Sequence, residues 1–335
     1  MTALTPPHAS PPSSSPRRVF VLGATGTIGK ATVRALVARG HEVVCLVRPR
    51  PDRAPDLFEG ATVRFGEATD AASVAREGLC GERFDAVVSC MASRTGAPKD
   101  AWAVDYEANL HALSAAKAAG VGHFVLLSAI CVQKPRLAFQ HAKLAFERAL
   151  MDSGLSYSIV RPTAFFKSLS GQVARVKAGK PYLVFGDGRQ TACKPISDAD
   201  LGAYLAACVD DPALANRVLP IGGPGPAITP REQGEMLFAL MDRKPRFAQA
   251  PLAMMDAIIW TLSGVGALYP PLRDKAELAR IGRYYATESM LLLNPETGLY
   301  DADATPSTGQ DTLAEHYARL IAGEDVDDRG DHSVF

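Results

Sequence analysis

The feature that most constrains the fold is a glycine-rich loop near the start of the chain. An apolar run, 18–22, is followed by Gly23-Ala-Thr-Gly26-Thr-Ile-Gly29 and then by 30–39, which has the periodicity of a helix. A buried strand that enters a helix through such a loop is typical of a phosphate-binding turn. Gly23 permits the tight turn, Gly26 lets a pyrophosphate approach the backbone, and Gly29 lets the helix pack on the strand.

The free N–H groups at the start of this helix are expected to hold the phosphates of a nucleotide. The predicted cofactor-binding residues of the loop are therefore Gly23, Thr25, Gly26, Thr27, Ile28 and Gly29.

Further short apolar runs follow at regular intervals and alternate with helical segments, which are 101–120 and 139–153 among others. This alternation predicts an α/β fold of the Rossmann type, with a doubly wound parallel sheet. The predicted strands after the first are 41–47, 62–65, 84–92, 123–129 and 157–161. A helix at 198–209 and a strand at 218–221 are expected to rejoin this sheet.

The prediction divides the chain discontinuously, in line with a prior of about two domains for 335 residues. A disordered leader covers 1–16. The NADP-binding domain covers 17–164 and 190–223. A smaller substrate-binding domain, mostly C-terminal, covers 165–189 and 224–335.

The end of the second strand indicates which dinucleotide is bound. Binders of NAD usually place an acidic residue there to hold the ribose hydroxyls. Here the strand ends in Cys45-Leu-Val-Arg48 without a carboxylate. A guanidinium at Arg48 suits a 2′-phosphate, so the sequence favours NADPH over NADH.

Charge and cysteine content exclude several functions. The formal net charge is zero, with 36 basic and 36 acidic side chains, which argues against a nucleic-acid partner. The six cysteines form no CxxC pair and match no zinc or iron–sulfur spacing, so no metal site is predicted. They are expected to be buried free thiols in a reducing compartment.

Two other segments bear on location. The leader, rich in proline and serine, lacks an apolar core, so it is not a signal peptide and a cytoplasmic protein is expected. The uncharged run 257–272 is too short to span a bilayer. It remains open whether this run is a buried helix, an apolar wall for a flat ligand, or a surface that touches a membrane.

The loop spacing and the later segments resemble the extended or atypical short-chain dehydrogenase/reductases. That family carries Tyr-x-x-x-Lys on the helix after the fifth strand, and a serine at the end of that strand. Here Ser128 ends the strand, Lys143 takes the place of the lysine, and Phe139 stands where the tyrosine is expected. The resemblance implies that Ser128 and Lys143 are catalytic and that Lys143 and Pro162 contact the cofactor.

Phenylalanine has no proton to give, so reduction of a carbonyl by the tyrosine mechanism is in doubt. Reduction of a conjugated C=C bond does not need that acid, because an extended π system takes the charge. A proton must still reach the second carbon. His141 lies two residues from Lys143 and faces elsewhere on the helix, so the proton donor stays open.

Longer strings resemble the divinyl (proto)chlorophyllide 8-vinyl reductases over about residues 17–322. These strings are SAICVQKP (128–135), FQHAKLAFE (139–147), IVRPTAFFKS (159–168), FGDG (185–188), ESML (288–291), NPETG (294–298) and YDADATP (300–306). The resemblance implies NADPH-dependent reduction of the C8 vinyl group of a magnesium tetrapyrrole to ethyl, in (bacterio)chlorophyll biosynthesis. The cysteine spacing excludes the iron–sulfur counterpart of this enzyme. Because the leader has no plastid-import character, the resemblance implies a photosynthetic bacterium as the source, with contact between the run 257–272 and the photosynthetic membrane left open.

A flat macrocycle needs apolar walls. Phe139, Phe165 and Phe166 are the predicted substrate residues, with core packing as the alternative for each of the last two. Three other functions remain open: a non-catalytic NADP-sensing regulator, a structural subunit of a respiratory complex, and a reductase of another conjugated alkene.

Overall fold

The computed structural model describes residues 15–49, 58–266, 269 and 271–324, so nearly all of the predicted leader lies outside the described residues. The strands are β1 (Arg18–Leu22), β2 (Glu42–Val47), β3 (Ala61–Phe65), β4 (Ala86–Ser89), β5 (His123–Leu127), β6 (Ser156–Pro162), β7 (Tyr182–Phe185), β8 (Arg217–Ile221), β9 (Phe247–Ala250), β10 (Leu292–Leu293) and β11 (Tyr300–Asp301).

The α-helices are α1 (Thr27–Ala38), α2 (Ala71–Ser73), α3 (Pro98–Ala101), α4 (Asn109–Ala118), α5 (Ala138–Met151), α6 (Phe166–Leu169), α7 (Val173–Lys177), α8 (Asp198–Asp210), α9 (Pro230–Leu240), α10 (Leu252–Gly266), α11 (Pro271–Thr287) and α12 (Leu313–Ala322). π-Helical turns cover Val74–Leu79 and Trp102–Ala108, and 3-10 turns cover Ile130–Gln133, Ser170–Gln172 and Pro212–Leu214.

Seven strands form one sheet in the order β3-β2-β1-β4-β5-β6-β8, and every neighbouring pair is parallel. This confirms the predicted doubly wound fold, and β8 joins the sheet beside β6 as expected. Successive side chains of a strand point to opposite faces, so Val19 and Val21 enter one core and Phe20 and Leu22 enter the other. A strand that is buried on both faces consists of an unbroken apolar run, and this run predicts β1 from the sequence.

The two faces of the sheet are covered by different helices. On one face, α1 and α8 pack against each other, and a Cβ at Gly202 would lie 2.6 Å from the backbone carbon of Ala31. On the other face, α4 and α5 contribute Leu113, Phe146 and Leu150 to the core. This arrangement leaves the carboxyl edge of the sheet for a ligand.

A smaller core lies outside the large sheet. There β7 and β9 pair in parallel, and α7, α9 and α12 pack around them. Its buried residues include Phe166, Tyr182, Leu237 and Tyr317. The strands of the large sheet come from 18–162 and 217–221, but the exact domain boundaries given above stay a prediction.

Helix α10 contains most of the uncharged run 257–272. The expectation that this run is a buried helix is wrong for α10, because among its residues only Met255 and Gly266 are buried and Trp260 is 80% exposed. The helix is held by α11, which packs along it and forms the Arg283–Asp256 ion pair. No helix in the described part of the chain is long and apolar enough to cross a membrane.

Candidate functional site

The glycine loop joins the end of β1 to the start of α1. Gly23 has a φ of +73°, and a Cβ there would lie 2.5 Å from the backbone of Cys90. A Cβ at Gly29 would lie 2.1 Å from the carbonyl oxygen of Gly23. These two glycines are therefore required by the turn and by the packing of helix on strand.

Gly26 is different, because neither conformation nor packing requires it. Its φ is −71°, and the only neighbour of a Cβ there would be the Gly23 oxygen at 3.4 Å. Gly26 is the N-cap of α1 and makes no side-chain cap, and the first turn of α1 contains no acidic residue. The backbone is thus left open to a ligand at a helix N-terminus, which fits the pyrophosphate of a dinucleotide.

Lys167, in the short helix α6, also reaches this loop. Its Nζ donates to Oγ1 of Thr27 over 2.8 Å. Its ammonium adds a positive charge beside the helix N-terminus, where phosphate is favoured. No motif in the sequence marks Lys167 as a binding residue, although it lies within the string IVRPTAFFKS (159–168).

Arg48 follows the last residue of β2 and is exposed. Within the described part of the chain, it has neither a hydrogen-bond nor an ion-pair partner of its own. A guanidinium that is not committed to a carboxylate is available for a phosphate.

Lys143 lies on α5, buried next to an acid that the sequence analysis did not identify. Its Nζ is 2.9 Å from Oδ1 of Asp105, a side chain with no exposure to solvent. The second oxygen of Asp105, Oδ2, is buried and has no hydrogen-bond partner among the described residues. A buried carboxylate oxygen without a partner is costly, so this atom is suited to accept a hydrogen bond from a ligand hydroxyl.

Asp105 lies in the π-helical turn Trp102–Ala108, between α3 and α4. The side chain of Asn109 supports this turn, since its Nδ2 donates to the carbonyl oxygens of Val104 and Asp105, at 3.1 and 3.2 Å. Oγ of Ser89, at the end of β4, donates to Oδ1 of Asn109 over 2.6 Å. Such turns are frequent at functional sites, and here the turn places Asp105 against Lys143.

Ser128 follows β5, and its hydroxyl donates to Oε1 of Glu147. Glu147 is buried and forms an ion pair with Arg161 of β6. The hydroxyl proton of Ser128 is therefore committed to a buried acid, and its predicted catalytic role stays a prediction. Pro162 is buried at the end of β6, on the same edge of the sheet as the glycine loop.

Phe139 is 9% exposed and lies in an apolar cluster with residues of α11. Ile281 and Tyr284 belong to this cluster, as does Cys131 from the 3-10 turn after β5. A Cβ at Gly96 would lie 2.7 Å from Ile281 and 3.5 Å from Phe139, so the chain is tightly packed there. Helix α11 thus lies directly against Phe139, the position at which the resemblance described above leads us to expect tyrosine.

Two of the quoted strings, which are far apart in the sequence, contact each other. Lys134 forms an ion pair with Glu288 at 3.2 Å, and the backbone N–H of Leu293 donates to Oε1 of Gln133 over 2.9 Å. The hydroxyl of Tyr300 also donates to Glu288, over 2.8 Å. These contacts hold the C-terminal segment 288–300 against residues 133–134, which precede α5.

The other predicted substrate residues occupy two different places. Phe165 is half-buried and packs against the core that α1 and α8 form with one face of the sheet. Phe166 is 3% exposed and packs in the smaller core, with its ring 5.5 Å from that of His316. This packing favours a core role for Phe166, and its contact with substrate stays a prediction.

Five of the six cysteines are buried free thiols, as expected, but Cys80 is exposed. Burial raises the pKa of the Cys45, Cys90 and Cys193 thiols to about 12. Within the described residues, no group of three or more histidine, cysteine or acidic side chains is arranged to hold a metal ion.

A family model described as NAD(P)H-binding matches residues 23–212. The chloroplastic divinyl chlorophyllide a 8-vinyl-reductase of Oryza sativa subsp. indica is 50% identical over 334 residues, covering 95% of this chain and 82% of that protein. The photosystem II assembly factor Ycf39 of Synechocystis sp. is 27% identical over 239 residues, covering 71% of this chain and 72% of its own.

Among solved structures, the NADPH complex of the quinone oxidoreductase QOR2 from Escherichia coli is similar to this chain. It has a TM-score of 0.67 at 20% identity, covering 90% of this chain and 99% of its own. At that identity, the likeness is one of fold.

Proposed function

This chain belongs to the divinyl chlorophyllide a 8-vinyl-reductases, and from that premise we propose how its residues serve the reaction. The reaction is the NADPH-dependent reduction of the C8 vinyl group of a divinyl chlorophyllide to ethyl, in chlorophyll biosynthesis. The observation that carries it is 50% identity over 95% of the chain to a relative of that name. The relative named as an assembly factor is only 27% identical, which disfavours a non-catalytic role.

NADPH, when bound, supplies the hydride. Gly26 and the first N–H groups of α1 hold its pyrophosphate, with Thr25, Thr27, Ile28 and the ammonium of Lys167 beside them. Arg48 pairs with the 2′-phosphate at the end of β2. Lys143 binds the hydroxyls of the nicotinamide ribose, and the unpartnered Oδ2 of Asp105 accepts a hydrogen bond from one of them.

The substrate is a magnesium tetrapyrrole, and the magnesium arrives with it. Its macrocycle takes up the charge that develops when hydride adds to the vinyl group, so no acid is needed at residue 139. Phe139 and the face of α11 beside it form an apolar surface against which the ring lies. Ser128 acts through Glu147, by fixing α5 to the end of β5.

The activity is tested by incubating the purified protein with divinyl chlorophyllide a and either NADPH or NADH, while following the Soret band. We expect a shift to the spectrum of the monovinyl pigment, faster with NADPH. An unchanged spectrum with a substrate that a plant relative converts would overturn the proposal.

A matched pair of lysine variants locates the site. Lys143→Gln removes a buried cation, whereas Lys117→Gln removes an exposed one on α4. Since a hydrogen bond to a charged group contributes roughly 1.5–3 kcal/mol, we expect Lys143→Gln to weaken NADPH binding about tenfold to a hundredfold. Lys117→Gln should bind NADPH like the parent, and equal affinities in both variants would contradict the assignment.

The chloroplastic relatives place the family in a photosynthetic setting. Location in a bacterial cytoplasm stays a prediction. Within that setting, we also propose that α10 contacts the photosynthetic membrane. Trp260, Met254 and Ile258 are 80%, 46% and 44% exposed on this helix, and exposed aromatic and aliphatic side chains suit a lipid interface.

Flotation with vesicles of phosphatidylglycerol and phosphatidylcholine tests this contact. Trp260→Glu should lose co-flotation, whereas Leu299→Glu, at a position 70% exposed outside α10, should keep it. Equal flotation of both variants would contradict membrane contact through α10.

A further inference from the structure

Two neighbouring tyrosines of α11 reach the segment that precedes α5. The hydroxyl of Tyr284 donates to the carbonyl oxygens of Cys131 and Lys134, at 2.8 and 3.1 Å. The hydroxyl of Tyr285 lies 3.9 Å from Sγ of Cys131. The hydroxyl of Tyr284 thus donates to the backbone, whereas the partner of the Tyr285 hydroxyl within the described ranges is a weakly bonding thiol.

Cys131 is the residue through which Tyr285 contacts the cluster around Phe139. It is buried in the same cluster as Phe139, and the positive charge of Lys143 acts on its thiol. The side-chain amide of Gln140 donates to the carbonyl oxygen of Cys131 over 3.1 Å. The hydroxyl of Tyr285 therefore contacts the cluster around Phe139 through Cys131, a thiol on which the charge of Lys143 also acts.

Building on the proposed function, we propose that Tyr285 is the catalytic acid that protonates the second vinyl carbon of the substrate. The C=C bond is reduced when one carbon takes the hydride and the electron pair passes to the other carbon and the macrocycle. That pair then forms a C–H bond with the proton of the Tyr285 hydroxyl. The resulting phenolate takes a proton from water, and the nicotinamide is the group oxidised.

The exposure of Tyr285 suits this cycle. Its residue is 38% exposed, so water can return the proton, whereas its hydroxyl faces the buried Cys131. Desolvation of its hydroxyl raises the pKa of Tyr285 well above its usual value, so the phenol carries its proton at neutral pH and gives it up only to a strong base such as the reduced vinyl carbon.

Other donors near the site are less suitable. His141 is exposed and lies two positions from Lys143, on another face of α5. The hydroxyl of Ser128 is committed to Glu147. The hydroxyl of Tyr284 serves the two carbonyl groups described above.

The test compares Tyr285→Phe with Tyr284→Phe in the full chain. For Tyr285→Phe we expect kcat to fall roughly a hundredfold, since a positioned acid contributes about 10²–10⁴. Its KM and its equilibrium affinity for divinyl chlorophyllide a, measured by fluorescence quenching, should stay unchanged. The solvent deuterium isotope effect on kcat should rise, because proton transfer becomes limiting. Tyr284→Phe should lower the Tm and leave the isotope effect as in the parent.

Tyr285→His is the second variant, since it restores an acid of lower pKa. It should recover part of kcat and show a loss of rate as the pH rises through about 6.5. An unchanged kcat in Tyr285→Phe, or a rise in KM at constant kcat, would overturn the role of Tyr285 as acid. Failure of the parent protein to convert the pigment would instead overturn the proposed function.

Discussion

At the scale of single residues, the polar groups of the site come from several distant segments of the chain. Helix α5 carries Lys143 and, one turn before it, Phe139, and a phenol of α11, that of Tyr285, contacts Cys131 of the same cluster. Lys143 itself is paired with a buried acid from a π-helical turn. Each of these partners is distant in sequence from α5, so no local motif predicts it.

Arg48 is the residue on which we expect the choice of cofactor to depend. Arg48→Ala should raise the Kd for NADPH roughly tenfold or more and leave that for NADH nearly unchanged, because only NADPH carries the 2′-phosphate. Fluorescence titration with both cofactors measures this. Arg148→Ala, which removes an exposed guanidinium from α5, is the control and should alter neither affinity. Parallel losses for both cofactors would contradict a 2′-phosphate contact.

Phe139→Tyr should not increase turnover. Phe139 is 9% exposed among apolar neighbours, so an added hydroxyl there is buried without a partner. We expect the free energy of unfolding to fall by about 1–3 kcal/mol, measured by urea denaturation, with kcat at or below the parent value. A large gain in kcat would show that a proton donor at residue 139 had been limiting.

At the scale of elements, close contacts between helix and strand determine what the glycine loop tolerates. Gly29 and Gly264 are both helical glycines, but a Cβ at Gly29 meets backbone at 2.1 Å, whereas one at Gly264 meets no atom of the described residues within 4 Å. Gly29→Ala should therefore separate α1 from β1 and abolish NADPH binding along with much of the stability.

Gly264→Ala is the matched control in α10. It should raise the Tm slightly, since alanine is favoured over glycine in a helix by up to about 1 kcal/mol. Thermal melts and cofactor titrations of the two variants check both expectations. Tolerance of alanine at Gly29 would contradict the close packing described for the loop.

At the scale of the whole molecule, His123 makes stability depend on pH. It is buried at the start of β5, with its ring nitrogens 3.0 and 3.2 Å from the hydroxyls of Ser156 and Ser158. Burial lowers its pKa, and the nearby charge of Arg17 lowers it further, although a backbone hydrogen bond at Cys208 opposes them. The folded state therefore binds this proton less readily than the unfolded chain does.

The unfolded chain gains a proton at His123 as the pH falls below about 6.5, so stability is lost on acidification and is fully present above that value. We expect the Tm to fall between about pH 7 and pH 5, and His123→Gln to reduce that fall. His141→Gln, at an exposed position, should leave the pH dependence unchanged. An identical pH profile for His123→Gln and the parent would contradict this role of His123.

The sequence by itself determined the nucleotide-binding half of this protein. Strand, glycine loop and helix are contiguous, so local conformation and apolar periodicity predict the parallel sheet and the places of Gly23, Gly26, Gly29 and Arg48. Spacing on one helix likewise predicts that Lys143 and Phe139 share a face of α5.

Only the tertiary structure decided which groups meet Lys143 and Phe139. Asp105 meets Lys143 from a π-helical turn, Lys167 meets Thr27 from α6, and Tyr285 meets Cys131 from α11. Helix α10 is exposed although its sequence is apolar. The physical reason is that periodicity reports which face of an element is buried, but not which partner buries it. Contacts between distant segments depend on how whole elements pack, and a single sequence does not encode that locally.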